Sequence, residues 1–235
     1  MNIKLIFSGL SCFCCLILFA GCASVSSQTP SVDNLQQRAA NGDMVAQRLL
    51  GVDYDFGQGV QQNYTEAAKW YQLAADQGDA IAENNLGSLY EYGQGVPEDY
   101  SKALELYQKS AAQGFAMAEN SLGRMYDQGT GVMADYVEAN KWYLRAAEQG
   151  DAQAMFNLGK NYGFGRGVTK DRVQAFMWLD IARFFTQHSS DMKTKWTIRR
   201  ALDDLQVYMT PEEISEGKRL SKNWCDEYLE KHKSA

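Results

Sequence analysis

Two Ser-x-x-Lys pairs, Ser190–Lys193 and Ser215–Lys218, are the nearest this chain comes to a nucleophile beside an activating amine. In serine acyl-transfer enzymes such a pair works together with Ser-Asp-Asn and Lys-Thr-Gly segments. Neither segment occurs here, and in a chain with many serines and lysines the spacing arises by chance. The histidines, His188 and His232, fall in a loop and at the tail, with no His-Glu-x-x-His and no Cys/His cluster at metal-ligand spacing. Four Gly-x-Gly turns lack the Lys-Ser/Thr of a phosphate cradle and follow helical rather than strand patterns. The residue types predict no catalysis, no cofactor and no metal.

One cysteine does have a chemistry of its own. Lys4 precedes an apolar run from Leu5 to Phe19, and Ala20-Gly21-Cys22 follows with small residues placed for cleavage. The run is too short for a membrane span and reads as an export signal over residues 1–21. Leu18-Phe19-Ala20-Gly21-Cys22 resembles a bacterial lipobox, which implies that Cys22 carries lipid and anchors the chain in a membrane. Ala23 after the cysteine implies, by the same resemblance, the outer membrane facing the periplasm. The alternative is ordinary cleavage after Ala23. Residues 22–31 are small and polar and predict a flexible tether. With Cys12, Cys14 and Cys15 in the signal, Cys225 alone remains in the folded part, so it forms no disulfide within the mature chain and is expected to be buried as a small hydrophobe.

The elements that must position any site are set by a repeat. Gly42, Gly78, Gly114 and Gly150 stand 36 residues apart, as do Leu50-Gly51, Leu86-Gly87, Leu122-Gly123 and Leu158-Gly159. A constant interval of this size means one supersecondary unit copied four times. In each copy an A helix follows Gly-Asp, with Asp43, Asp79 and Asp151 as N-caps. A B helix starts at Asn63, Asp99, Asp135 or Asp171. Glu66, Glu138 and Gln174 sit three residues further on, the spacing of a capping box. The glycine inside each A helix costs up to about 1 kcal/mol relative to alanine, so its recurrence predicts close approach of a neighbouring helix. Residues 32–41 match the end of a B helix and predict an N-terminal cap. Residues 183–235 depart from the repeat and predict C-terminal capping helices, one capped at Ser190-Asp191 and one starting at Thr210-Pro211. On the latter, Ile214, Leu220, Trp224 and Tyr228 would face inward. The balance of 23 Lys+Arg against 29 Asp+Glu, with no basic stripe, argues against nucleic acid as a partner.

These residues, read as G-D-A-x-A-x-x-x-L-G-x-x-Y-x-x-G-x-G-V with a following D-x-x-x-A-x-x-W-Y-x-x-A-A-x-Q-G, resemble the Sel-like repeat family, relatives of tetratricopeptide repeats. The resemblance covers the four copies over 42–182, with local departures at Phe115, Leu106 and Arg172. It implies an all-α, right-handed α/α solenoid whose A helices line a concave face. Variable A-helix positions would then point into a groove: Arg48 and Val52; Asn84, Ser88 and Glu91; Asn120, Arg124 and Asp127; Phe156, Lys160 and Asn161. Asn and Arg or Lys along one groove resemble the clamp by which tetratricopeptide domains hold peptide carboxylates. The expected partner is therefore a protein or peptide, and the expected role a non-catalytic adaptor of the bacterial envelope. The alternatives are a secreted or surface-displayed host-interaction factor, or a β-lactam-binding enzyme of the kind known among cysteine-rich members of that family.

The anchor is directly testable. Cys22→Ser should release the protein from the membrane fraction, and the intact mass of the mature chain that keeps Cys22 should exceed its sequence mass by the attached lipid. A mature chain starting at Ser24 without lipid would remove the anchor.

Overall fold

The computed structural model describes residues 32–233, with side chains from Asn34 onward, and every regular element among them is an α-helix. The signal, the tether and Cys22 lie outside the described residues. The chain divides into two compact units, one ending at Asp151 and one beginning at Ala152. The first holds α1 (Val32–Ala40), α2 (Met44–Phe56), α3 (Tyr64–Ala75), α4 (Ala80–Tyr92), α5 (Tyr100–Ala112), α6 (Ala116–Gln128) and α7 (Tyr136–Glu148). The second holds α8 (Ala152–Phe164), α9 (Arg172–Thr186), α10 (Met192–Gln206) and α11 (Pro211–Lys231). The A helices are α2, α4, α6 and α8, and each pairs with the B helix that follows it.

Local chemistry sets these boundaries. The carboxylates of Asp43 and Asp79 accept from the N–H groups of Ala46 and Ala82 at 3.0 and 2.9 Å, satisfying donors that a helix start leaves orphaned. Asn63, Asp99, Asp135 and Asp171 cap the B helices in the same way. The capping boxes expected at Glu66 and Glu138 are only half made: their N–H groups bond the cap, while their carboxylates pair with Lys69 and Lys141 one turn on. A lysine at that spacing offers a charge, which a backbone N–H cannot match. The complete box is at Thr210 and Glu213, with Pro211 in the first turn. Phe115 caps nothing.

Each A helix ends on a left-handed glycine, such as Gly93 at φ 62°. Two residues later Gly95, at φ 70°, lies so close to the start of α3 that a Cβ there would stand 2.2 Å from the Tyr64 carbonyl carbon. The chain then returns to its own A helix: the N–H groups of Asn63, Asp99 and Asp135 bond the carbonyls of Tyr54, Tyr90 and Tyr126 at 2.8–2.9 Å.

The glycine inside each A helix has a specific occupant. A Cβ on Gly51 would stand 2.5 Å from Cδ1 of Tyr71, and one on Gly123 would stand 2.5 Å from Cδ1 of Tyr143. The Tyr71, Tyr107 and Tyr143 rings of the B helices therefore lie directly on bare A-helix backbone, and all three are almost wholly buried. In the second unit Gly159 receives Leu179 instead.

The second unit adds two helices to the α8–α9 pair. The α9 helix runs on to Thr186, past the expected repeat end at 182, and both added helices pack on it. Gly217 of α11 faces the Phe176 ring, where a Cβ would meet Cδ1 at 2.6 Å. Trp178–Trp224 and Phe185–Tyr228 meet edge to face at 5.8 and 5.0 Å, and Ser221 Oγ donates to Asp180 at 2.6 Å. On α11 the fully buried positions are Gly217, Ser221 and Cys225, whereas the expected Ile214, Leu220, Trp224 and Tyr228 flank them half-buried. Burial pushes the Cys225 thiol up to about 11, as for a cysteine packed as a hydrophobe.

The glycine contact predicts an order of stabilities. Gly123→Ala should destabilise by about 1–3 kcal/mol through overpacking, despite alanine's better helix propensity. Gly87→Ala should cost less, because Tyr107 stands 3.0 Å from the added carbon and needs to shift only slightly. Urea denaturation of the two variants checks the order.

Candidate functional site

The residues expected to line a groove separate into two classes. Asn84, Glu91 and Asn161 are buried, at 6, 4 and 2 % exposure, and so are not presented to a ligand. Arg48, Ser88, Asn120, Arg124, Asp127 and Lys160 are half-buried. Several of these are already engaged within the fold. The Arg48 guanidinium bonds Asp79, the cap of the next A helix, at 3.0 Å. Arg124 grips Glu91 of the preceding A helix with both terminal nitrogens, Nη2 to Oε2 at 2.6 Å. Lys160 lies over the Phe156 ring at 5.6 Å.

Glu91 is the centre of this arrangement. The same carboxylate accepts from the Tyr107 hydroxyl at 2.8 Å. One copy earlier Tyr71 donates to Asp55 at 3.1 Å, and one copy later Asp127 faces Tyr143. Burial, and next the adjacent carboxylate, raise the phenol pKa of Tyr71, Tyr107 and Tyr143, so all three remain neutral donors. Burial opposes the charge on Arg124, but the bonds to Glu91 outweigh it and hold its pKa above the ordinary value. A guanidinium committed in this way is a structural group rather than a clamp for a ligand carboxylate.

A second ladder ties the B-helix end to the A-helix start in the first three copies. Gln77 donates to Gln47, Gln113 to Glu83 and Gln149 to Glu119, at 2.7, 2.8 and 2.7 Å. Arg145 adds an ion pair to Glu119 at 2.9 Å. Burial pushes the Glu83 and Glu119 carboxyls upward, against these partners.

What the A helices expose is a neighbouring stripe. On α2, Val45, Leu49 and Phe56 are 40, 37 and 61 % exposed, with Val52 half-buried between them. The same register gives Ile81, Asn85, Ser88 and Tyr92 on α4, and Met117, Ser121, Arg124 and Gln128 on α6. Tyr92 is 57 % and Met117 38 % exposed. Residues four, three and four apart share one helix face, so this is a single stripe, and much of it is apolar. Val52, Ser88 and Arg124 of this stripe are among the positions expected to face the groove, whereas its apolar members Val45, Leu49, Phe56, Ile81, Tyr92 and Met117 are not. The legible signal was aliphatic and aromatic residues at a helical spacing not used by the buried Ala-Leu-Tyr row.

The two Ser-x-x-Lys pairs do not assemble. Ser190 and Ser215 are exposed, and among the described residues neither bonds its lysine. Among the described residues no three His, Cys, Asp or Glu side chains gather as a metal site, and no helix is long and apolar enough to cross a membrane.

The Sel1 repeat model matches this chain over residues 45–79, 80–115, 116–151 and 152–182. No curated protein matches it. Similar solved structures include two of the same repeat type. One is a Sel1 repeat protein from Oxalobacter formigenes, 31 % identical, with TM-score 0.64 over 82 % of this chain and 78 % of that one. The other is c5321, a protective antigen of uropathogenic Escherichia coli strains displaying an SLR fold, 27 % identical, with TM-score 0.63. That likeness covers 82 % of this chain but 48 % of the antigen, so this chain spans about half its length. With four consecutive matches, each falling on an observed helix pair, the chain belongs to the Sel1 repeat family.

Proposed function

We propose that this protein is a non-catalytic scaffold of the bacterial envelope, anchored through lipidated Cys22 to the outer membrane and facing the periplasm. It binds an apolar or amphipathic segment of a partner protein through the exposed face of its A helices. The observation that carries the reading is the stripe on α2, α4 and α6, where Val45, Leu49, Phe56, Tyr92 and Met117 meet solvent. Exposed apolar side chains recurring from one helix to the next mark interaction surfaces in soluble proteins, whereas scattered single ones do not. An amphipathic segment laid across such helices would bury them, with the half-buried Ser88 beside them as a hydrogen-bonding group. A peptide held mainly by its carboxylate fits less well, because Arg48 and Arg124 are engaged by Asp79 and Glu91.

A second reading, display at the cell surface and contact with a host, is supported by the likeness to a protective antigen. It uses the same face and differs in the compartment where the partner is met.

Binding and folding separate in one set of variants. A partner is captured from intact envelopes with the unmodified chain and then titrated. Leu49→Glu and Tyr92→Glu should weaken it by about 2 kcal/mol or more at unchanged thermal stability. Lys69→Ala and Lys141→Ala, on exposed B-helix positions, should leave it unaltered. Equal losses from both sets would place the interface elsewhere.

Arg124→Met should act on folding instead. It strands Glu91, whose side chain is 3 % exposed, at a cost of about 3–5 kcal/mol, and adding Glu91→Gln should recover part of that loss in urea denaturation.

A further inference from the structure

In the second unit, α9, α10 and α11 enclose an open cavity of about 500 Å³. Its wall from α10 is a single face, Lys195, Arg199, Leu202 and Gln206, at spacings of four, three and four residues. Arg183 enters from α9 and Lys218 from α11. The cavity thus collects four cations against two carboxylates, Asp180 and Asp203, within a chain whose formal net charge is −6. The two carboxylates leave much of that positive charge unanswered. Asp180 is fully engaged, by Arg183 at 2.7 Å and the Ser221 hydroxyl at 2.6 Å. Asp203 reaches Arg199 only at 4.0 Å. The Lys195 ammonium bonds no carboxylate, only the Gln187 carbonyl at 2.8 Å, and Lys218 has no ion-pair partner among the described residues. Phe176 and Leu202 give the cavity an apolar floor, both being nearly fully buried.

We propose that this cleft is a binding site for a phosphate ester, its oxyanion held by Lys195, Arg199 and Lys218 and its organic part lying on Phe176 and Leu202. The volume suits a small ligand. Cations meeting from two helices, α10 and α11, suit a multiply acceptor-bearing oxyanion, which takes hydrogen bonds from several directions at once. Such an ester is either a soluble phosphate compound or the headgroup of an anionic lipid. The lipid source has a structural basis of its own: Met192 and Trp196, on the adjacent strip of α10, are 71 and 60 % exposed, and Arg200 stacks over the indole at 5.2 Å. An exposed tryptophan flanked by basic side chains suits a membrane interface. The site is independent of the A-helix stripe and of the reading built on it.

The test uses the full chain at low salt with two probes: hexyl phosphate followed by calorimetry, and phosphatidylcholine vesicles with or without phosphatidylglycerol followed by sedimentation. Binding in either arm is expected to weaken about tenfold in Lys195→Gln/Lys218→Gln, the loss of two charge-assisted contacts. Neither lysine is buried, so the unliganded melting temperature should not change. Binding of hexyl phosphate assigns the soluble source; binding of phosphatidylglycerol vesicles alone assigns the lipid. Lys69→Gln/Lys141→Gln, in the other unit, removes the same charge and should leave both arms intact. Absence of binding in both arms, or equal loss in the two double variants, would overturn the site.

Discussion

The tyrosine ring resting on a bare glycine sets the geometry from which most of the first unit follows. With no side chain at Gly51, Gly87 or Gly123, the A and B helices approach until the ring of Tyr71, Tyr107 or Tyr143 fills the gap. At that separation the phenol oxygen ends beside the A helix, where a buried hydroxyl needs a partner. Asp55, Glu91 and Asp127 occupy that place. Asp55 and Asp127 keep some access to water, whereas Glu91 is buried and needs a cation. For Glu91 the cation comes from the following repeat, as Arg124. One steric vacancy thus fixes the spacing within each of these repeats and, at Glu91, links two successive repeats through a buried charge.

The fourth copy supports this chain of causes because its parts change together. Leu179 stands where the tyrosine would be, and Gly163, sixteen residues before it, stands in place of the carboxylate. Without a hydroxyl to satisfy, a carboxylate there would only carry a desolvation cost. The other ladder changes in the same way: Met155 replaces the Gln or Glu of Gln47, Glu83 and Glu119, and Phe185 replaces the glutamine of Gln77, Gln113 and Gln149. Phe185 instead packs on Tyr228 and Trp224 of α11. The last copy has exchanged polar pairs that serve stacking for aromatic surface that receives a cap.

Much of this organisation was legible in the sequence because its causes are local. A cap needs an Asp or Asn one residue before the helix, a left-handed turn needs glycine, and a repeated glycine inside a helix needs a reason; each can be read at a single position. The identity of the glycine's occupant could not be read in that way, since it depends on which residue of another helix comes opposite. The burial of Asn84, Glu91 and Asn161 among the variable A-helix residues was not legible for a related reason. Comparison between copies finds the positions that vary, but in stacked helices such positions lie either in the seam between neighbours or on the open face. Asn84 and Asn85 differ by one residue and about 100° around the helix, which is enough to bury the first and leave the second half-exposed.

That distinction changes what recognition can rest on. Had Asn84, Glu91 and Arg124 faced outward, the surface would have favoured polar, extended ligands with a free carboxylate. Glu91 and Arg124 instead hold successive helices together, and the burial of Asn84 has a cost, because its Oδ1 has no hydrogen-bond partner among the described residues. The face left open is the more apolar one, on which affinity would come from burying area and specificity from the few polar residues between. The stripe therefore selects for the shape and amphipathicity of a partner segment more than for its charge. A scaffold built so can keep its stacking chemistry fixed while most of the exposed positions change, because, Arg124 apart, the two sets of residues lie on different sides of the same helices.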